Sequence, residues 1–228
     1  MRKATILVTG GVANNVEFEA EVAEKVPGIR IALFDHTIAR APAHAPEAAT
    51  WHKIGLGSAR GCIPLEEACN LAGAKDGESI VLKLDIEGAE WEIFESTPES
   101  FWKRVSVFIL ELHSLHEQQL WKHYQTLLAK VNSNLIPVHV HGNNYASTVR
   151  FKKEGVNVPI SLELTYINRT LIGEGVTPAP WSEPGPTPLD RPNIPDIPMN
   201  YWFPQKNVFL RRLNKNVRHI LTHPFGSK

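Results

Sequence analysis

The run Ile80-Val81-Leu82-Lys83-Leu84 is apolar and rich in β-branched residues, and it stops abruptly at Asp85, with Glu87, Gly88 and Glu90 close behind. Such a run reads as a buried strand. A buried strand that suddenly presents carboxylates has arrived at an open edge of its sheet. In open α/β sheets that edge is where ligands bind. Any fold for this chain must therefore bury residues 80–84 and leave the segment after them at the surface.

The rest of the sequence supplies the partners for such a strand. Strand-like and helix-like stretches alternate, which argues for a mostly parallel α/β sheet. Strands are expected at Thr5–Thr9, Ile29–Phe34, Trp51–Leu56, Ser79–Asp85, Ser106–Leu112, Leu135–Val140 and Ile160–Ile167. Helices are expected at Val16–Val26, Pro64–Ala72 and His116–Val131, with helix-like material over Trp91–Val105 broken near Pro98. Phe18, Val22 and Val26 share one face of the first helix. No helix-length stretch separates the last two strands, so they form an antiparallel pair at one edge. Residues 1–173 then make the core. From residue 174 the sequence becomes proline-rich and aperiodic, so 174–228 reads as a segment of the same domain. Long structureless loops are uncommon unless functional or disordered. Trp181, Tyr201, Trp202 and Phe203 favour a loop packed on the domain, with a lid or a disordered tail as the alternatives.

Composition excludes several classes. The chain has 228 residues, with 24 Lys and Arg against 24 Asp and Glu. That size suits one large domain, and zero net charge gives no electrostatic footprint for nucleic acid. Arg211, Arg212, Lys215 and Arg218 read as a solvated helix face or tail rather than a phosphate-binding patch. No apolar run approaches the roughly 20 residues that span a bilayer. The two cysteines, Cys62 and Cys69, show no metal or disulfide pattern and fit a reducing compartment. The N-terminus reads as a first strand rather than a signal peptide. A cytoplasmic protein acting on a small molecule or glycan is expected, without nucleic-acid or membrane partners. Asn168-Arg169-Thr170 fits a glycosylation acceptor and reads as fortuitous in such a chain.

The loops after the strands form the ligand crevice in a doubly wound sheet. Gly10 and Gly11 close the first strand, where glycine permits close backbone approach; a tight strand-to-helix turn is the competing reading. Asp35 closes the second strand, where an acidic side chain can accept hydrogen bonds from both ribose hydroxyls of an adenosine cofactor; a turn or capping aspartate competes. The opening Ile6–Gly11 resembles a short-chain dehydrogenase, but no tyrosine is followed four residues later by lysine. A P-loop is absent too. His113 and His141 stand at strand ends as candidate bases, with packing or capping roles as alternatives. Asp85 and Glu87 would share a face if the strand persisted past Leu84. A divalent metal then becomes conceivable, but no ligand spacing supports one, and none is expected. Asn143 and Asn144 could bind a polyhydroxylated acceptor or form a turn.

Lys83-Leu84-Asp85-Ile86-Glu87-Gly88-Ala89-Glu90-Trp91 resembles the corresponding block of FkbM-type methyltransferases. The first turn with Val16–Glu19, Phe34–Thr37, Ile54–Gly57, Glu111–His113, His141–Asn144, Leu189–Asn193 and Pro195–Ile197 are similar in order and spacing to the same group. The resemblance implies a Rossmann-like class I methyltransferase fold: a mostly parallel seven-stranded sheet with an antiparallel edge strand and helices on both faces. It implies S-adenosylmethionine as cofactor. Gly10, Gly11 and Asn14 would approach its methionine end, Asp35 its ribose, Leu56 and Gly57 its adenine, and Asp85 the transferring methyl group. Glu19 would support the first turn. His113, Asp85 and His141 are the catalytic candidates, with His113 favoured, and Glu87, Asn143 and Asn144 the substrate-binding ones. O-methylation of a sugar, glycan or natural-product hydroxyl is the activity implied. A non-catalytic binding domain of the same fold, or a nucleotide-dependent oxidoreductase, are the alternatives. The first turn departs from the usual Gly-x-Gly of the class.

Overall fold

A computed structural model describes residues 4–143, 145, 148–151 and 156–176. The chain divides into two units between Ile109 and Leu110. The proline-rich stretch from residue 177 onward, Asn144 and the late basic cluster lie outside the described residues.

The first unit carries strands β1 (Ile6–Gly10), β2 (Arg30–Phe34), β3 (Ala49–His52) and β6 (Ile80–Leu84), and the start of β7 (Val105–Leu112). β1 pairs in parallel with β2 on one side and β6 on the other, and β2 pairs in parallel with β3. β1 is buried along its whole length, as expected of a strand between parallel neighbours. Helix α1 (Glu17–Lys25) follows β1. Glu17 and Glu19 lie in its first turn and Lys25 in its last, matching the helix dipole. Its Phe18, Val22 and Ala23, with the flanking Val26, pack on a core of Leu7, Val12, Val16, Ile29, Ile31 and Leu33.

A second core is aromatic. Helix α3 (Glu90–Ser96) and a 3-10 turn at Glu99–Arg104 bring Phe94, Trp102 and Phe108 together. Phe94 meets the other two nearly edge-on, with centroids 5.9 and 6.1 Å away, an arrangement favoured by the ring quadrupoles. Pro98 precedes the 3-10 turn and is the break expected there. Ser106 Oγ donates to the Ile80 carbonyl at 2.9 Å, tying β7 to β6.

The expected strand at Trp51–Leu56 is two pieces. β3 ends at His52, and β4 (Gly55–Leu56) pairs instead with β5 (Cys62–Ile63). Helix α2 (Leu65–Leu71) follows β5, with Pro64 in extended conformation as its N-cap. Cys69 is fully buried on α2, and burial pushes its thiol up to about 12. Cys62 is part-exposed and also free.

The second unit holds the end of β7, helix α4 (Trp121–Asn132), β8 (Leu135–Gly142), β9 (Thr148–Phe151), β10 (Val156–Pro159) and β11 (Leu162–Asn168). The helix starts later than His116, because a 3-10 turn occupies Gln118–Leu120. Tyr124, Leu127, Leu128 and Val131 form its buried stripe. β11 pairs antiparallel with β8, the edge pair expected from the missing crossover helix. The β9–β10 hairpin was not anticipated. The strand order of the large sheet is β3-β2-β1-β6-β7-β11-β8. The fold is thus the mostly parallel seven-stranded α/β type with an antiparallel edge strand. The order reverses beside β1, making the β1/β6 junction the topological switch point.

Candidate functional site

Three strand tips of the first unit meet at that switch point. Gly10 lies opposite Phe34 on one side and Leu84 on the other. The Gly11 N–H donates to the Phe34 carbonyl, and the Asp85 N–H to the Gly10 carbonyl, both at 3.0 Å. Gly10, Asp35 and Asp85 are therefore neighbours at one sheet edge. The demand for glycine here comes from the protein itself. Gly11 has φ +74°, and a Cβ on it would lie 1.5 Å from the Asp85 carbonyl oxygen. A Cβ on Gly10 would lie 2.6 Å from Leu56 Cδ1, with Leu84 and Ile86 just beyond. The glycine pair is explained by close packing, before any ligand is considered.

Asp35 is 5% exposed and braces the same turn. Its Oδ2 accepts from the Val12 and Ala13 N–H groups at 3.1 and 2.8 Å. Its Oδ1 accepts from the Thr37 N–H at 2.7 Å and the Thr37 hydroxyl at 2.6 Å. Burial pushes the Asp35 carboxyl up, but these hydrogen bonds outweigh it and hold the group below its ordinary value. Ala13, itself at φ +47°, begins an exposed stretch with Asn14 and Asn15. Asn15 Oδ1 accepts from the Glu17 N–H at 3.0 Å, satisfying one orphan donor of α1.

The β6 strand ends at Leu84, so Asp85 and Glu87 do not continue a shared strand face. Glu87 is exposed and bends back through φ +54°, an uncommon conformation for a long side chain. The fully buried Glu90 closes this loop: its two oxygens accept from the Ile86 and Gly88 N–H groups, each at 3.0 Å. Lys83 has a structural partner in the buried Glu19, at 3.1 Å. The same oxygen of Glu19 accepts from the Thr9 hydroxyl at 3.0 Å. Glu19 thus ties α1 to β1 and β6 behind the first turn. Farther along, Leu56 covers Gly10, and Gly57 adopts φ +138° beside Glu92. Glu92 Oε2 accepts from the Ser58 hydroxyl at 2.7 Å.

In the second unit, one carboxylate gathers the polar groups. Glu111 Oε1 accepts from Asn143 Nδ2 at 2.8 Å and from the Ser161 hydroxyl at 2.7 Å. His113 Nε2 lies 3.4 Å from the same oxygen. Burial raises the Glu111 carboxyl, but bonds from His113, Ser161 and Asn143 outweigh it and keep the group below its usual value. The N–H of Asn143 also donates to the Ser161 carbonyl. His141 belongs to a separate pair. It is buried, and its Nδ1 lies 3.0 Å from Oε2 of Glu163, its cross-strand partner. Its Nε2 is buried with no hydrogen-bond partner among the described residues.

Of the residues singled out by sequence, Gly10, Gly11, Asp35, Leu56 and Asp85 come together in the first unit. His113 and Asn143 come together around Glu111 in the second. His141 stands with Glu163 instead. The bracing roles of Thr37 and Glu90, and the gathering roles of Glu111 and Ser161, were not foreseen. A signal existed for Glu111, a lone carboxylate inside the apolar run Val107–Leu112.

Residues 62–145 match the FkbM methyltransferase domain. The resemblance carried by Lys83–Trp91 is thereby borne out. The FkbM match spans the β6 tip, Glu90, Glu111 and His113; the glycine turn and Asp35 precede it. No curated protein matches the chain. Among solved structures, the chain is similar to a precorrin-6y C5,15-methyltransferase from Geobacter metallireducens GS-15, at 11% identity and a TM-score of 0.39, covering 74% of this chain and 83% of that one. Among the described residues no helix is long and apolar enough to cross a membrane.

Proposed function

We propose that the chain is an S-adenosylmethionine-dependent methyltransferase acting on a hydroxyl of a sugar, glycan or small natural product. The observation that carries this reading is the FkbM match over the stretch holding Asp85, Glu90, Glu111 and His113. The groups beside the switch point suit an adenosyl group: the buried Asp35 carboxylate to accept from a ribose hydroxyl and apolar Leu56 for a purine edge. Gly10, Gly11, Asn14, Gly57 and Asp85 would complete the cofactor contacts. When bound, S-adenosylmethionine supplies a methyl group on a positively charged sulfur.

The chain's own contribution is alignment and proton removal. Alignment of reactants supplies a large part of such a rate enhancement. His113 is assigned the base that takes the acceptor proton. A bond from His113 Nε2–H to Glu111 fixes the tautomer in which Nδ1 carries the lone pair. Asp85 is assigned to orienting the reacting groups. Glu87, Asn143 and Asn144 are assigned to the acceptor, and His141 serves as a second candidate base.

Calorimetric titration tests the cofactor assignment. S-adenosylhomocysteine is expected to bind and NAD to give no heat; the reverse would leave an oxidoreductase. Labelled methyl transfer to hydroxylated acceptors then tests the linkage. A methyl ether survives mild alkali, whereas loss of the label would indicate an ester and remove the hydroxyl assignment.

A further inference from the structure

A carboxylate offers about four lone-pair directions, and in Asp35 the protein fills all four. Two are taken by the Val12 and Ala13 N–H groups, one by the Thr37 N–H and one by the Thr37 hydroxyl. As it stands, the residue best placed to hold a ribose diol has no acceptor site left. The four donors are not equivalent. Three are backbone groups, fixed by the path of the chain. The fourth, the hydroxyl of the exposed Thr37, can be withdrawn by rotation about one side-chain bond.

We infer that Thr37 is an affinity-setting residue: its hydroxyl occupies the position on Asp35 Oδ1 that a ribose hydroxyl takes, and leaves when an adenosyl ligand binds. The inference rests on the cofactor reading above. Binding then exchanges one charge-assisted hydrogen bond for another and gains little from Asp35 overall. An enzyme built this way holds its cofactor and its spent product loosely at the ribose.

Thr37→Val removes the donor and keeps the branched shape, and Thr37→Ser keeps the donor. Calorimetry on the full chain with S-adenosylhomocysteine and with methylthioadenosine, which shares the ribose but lacks the amino-acid part, provides the test. Thr37→Val should bind both ligands roughly three- to tenfold more tightly than wild type, the scale of one net hydrogen bond. Thr37→Ser should match wild type. Unchanged or weaker binding by the valine variant would overturn the inference, as would a gain confined to S-adenosylhomocysteine. If wild-type protein binds neither ligand while remaining folded by circular dichroism, the cofactor reading itself fails, and the inference with it.

Discussion

At Gly11 the backbone is left-handed and the nearest space is filled by the carbonyl oxygen of Asp85, just past the end of β6. Gly11→Ala must therefore separate β1 from the segment after β6, and a loss of about 3 kcal/mol or more is expected, read as a lowered urea midpoint. Asp35 and Glu111 make a different prediction. Both carboxyls lie below their ordinary values in the fold. Each therefore contributes its full stability above the unfolded carboxylate range, near pH 4, and loses it as pH falls through the lower folded value. Urea midpoints from about pH 3 to 7 should fall less steeply on the acid side in Glu111→Gln than in wild type. An equally steep acid limb would remove Glu111 as a stabilising charge. At this scale the sequence was only half readable. A glycine pair and an aspartate at strand ends marked where neighbouring strand tips meet. That the glycines answer to Leu56 and Asp85, and that the Val12 and Ala13 N–H groups reach Asp35, depends on contacts between residues distant in sequence.

Among the elements, α3 depends on its aromatic face. Phe94 is fully buried and meets Trp91, Trp102 and Phe108. Phe94→Ala should cost about 3–5 kcal/mol, measurable by denaturant unfolding. Residues 86–90 test the β6 exit. Glu90→Ala would leave the Ile86 and Gly88 N–H groups without their carboxylate, costing about 2–3 kcal/mol, and the S-adenosylhomocysteine affinity should fall with it. Unchanged stability would mean the loop holds its shape without Glu90. Elements with a clear apolar run or period, such as β1, α1, β6 and α4, were readable because burial dictates their pattern. The split of Trp51–Leu56 was not, because Gly55 and Leu56 owe their pairing to Cys62 and Ile63 across a turn. The β9–β10 hairpin escaped for a related reason: its short strands pair with each other across a turn.

For the molecule as a whole, the strand order follows from rules that do not depend on any one side chain. Alternating elements demand parallel pairing, and the absence of a crossover helix before β11 demands the antiparallel edge. The resemblance to the FkbM domain was legible in one nine-residue block because that block's carboxylates and glycine serve a loop geometry: Glu90 holds Ile86 and Gly88, and Gly88 has φ +106°. The acceptor proposed above was not legible, because no residue pattern in the sequence is specific to one substrate.

The two thiols offer a clock that needs no engineering. Cys69, sealed on α2 with its thiol pushed up to about 12 by burial, should stay silent toward an alkylating reagent, while the part-exposed Cys62 should take it up. Mass spectrometry of the intact chain would then count one adduct on every native molecule. The second adduct would arrive only when α2 lifts from the core, so its rate times the opening of that helix in the absence of denaturant.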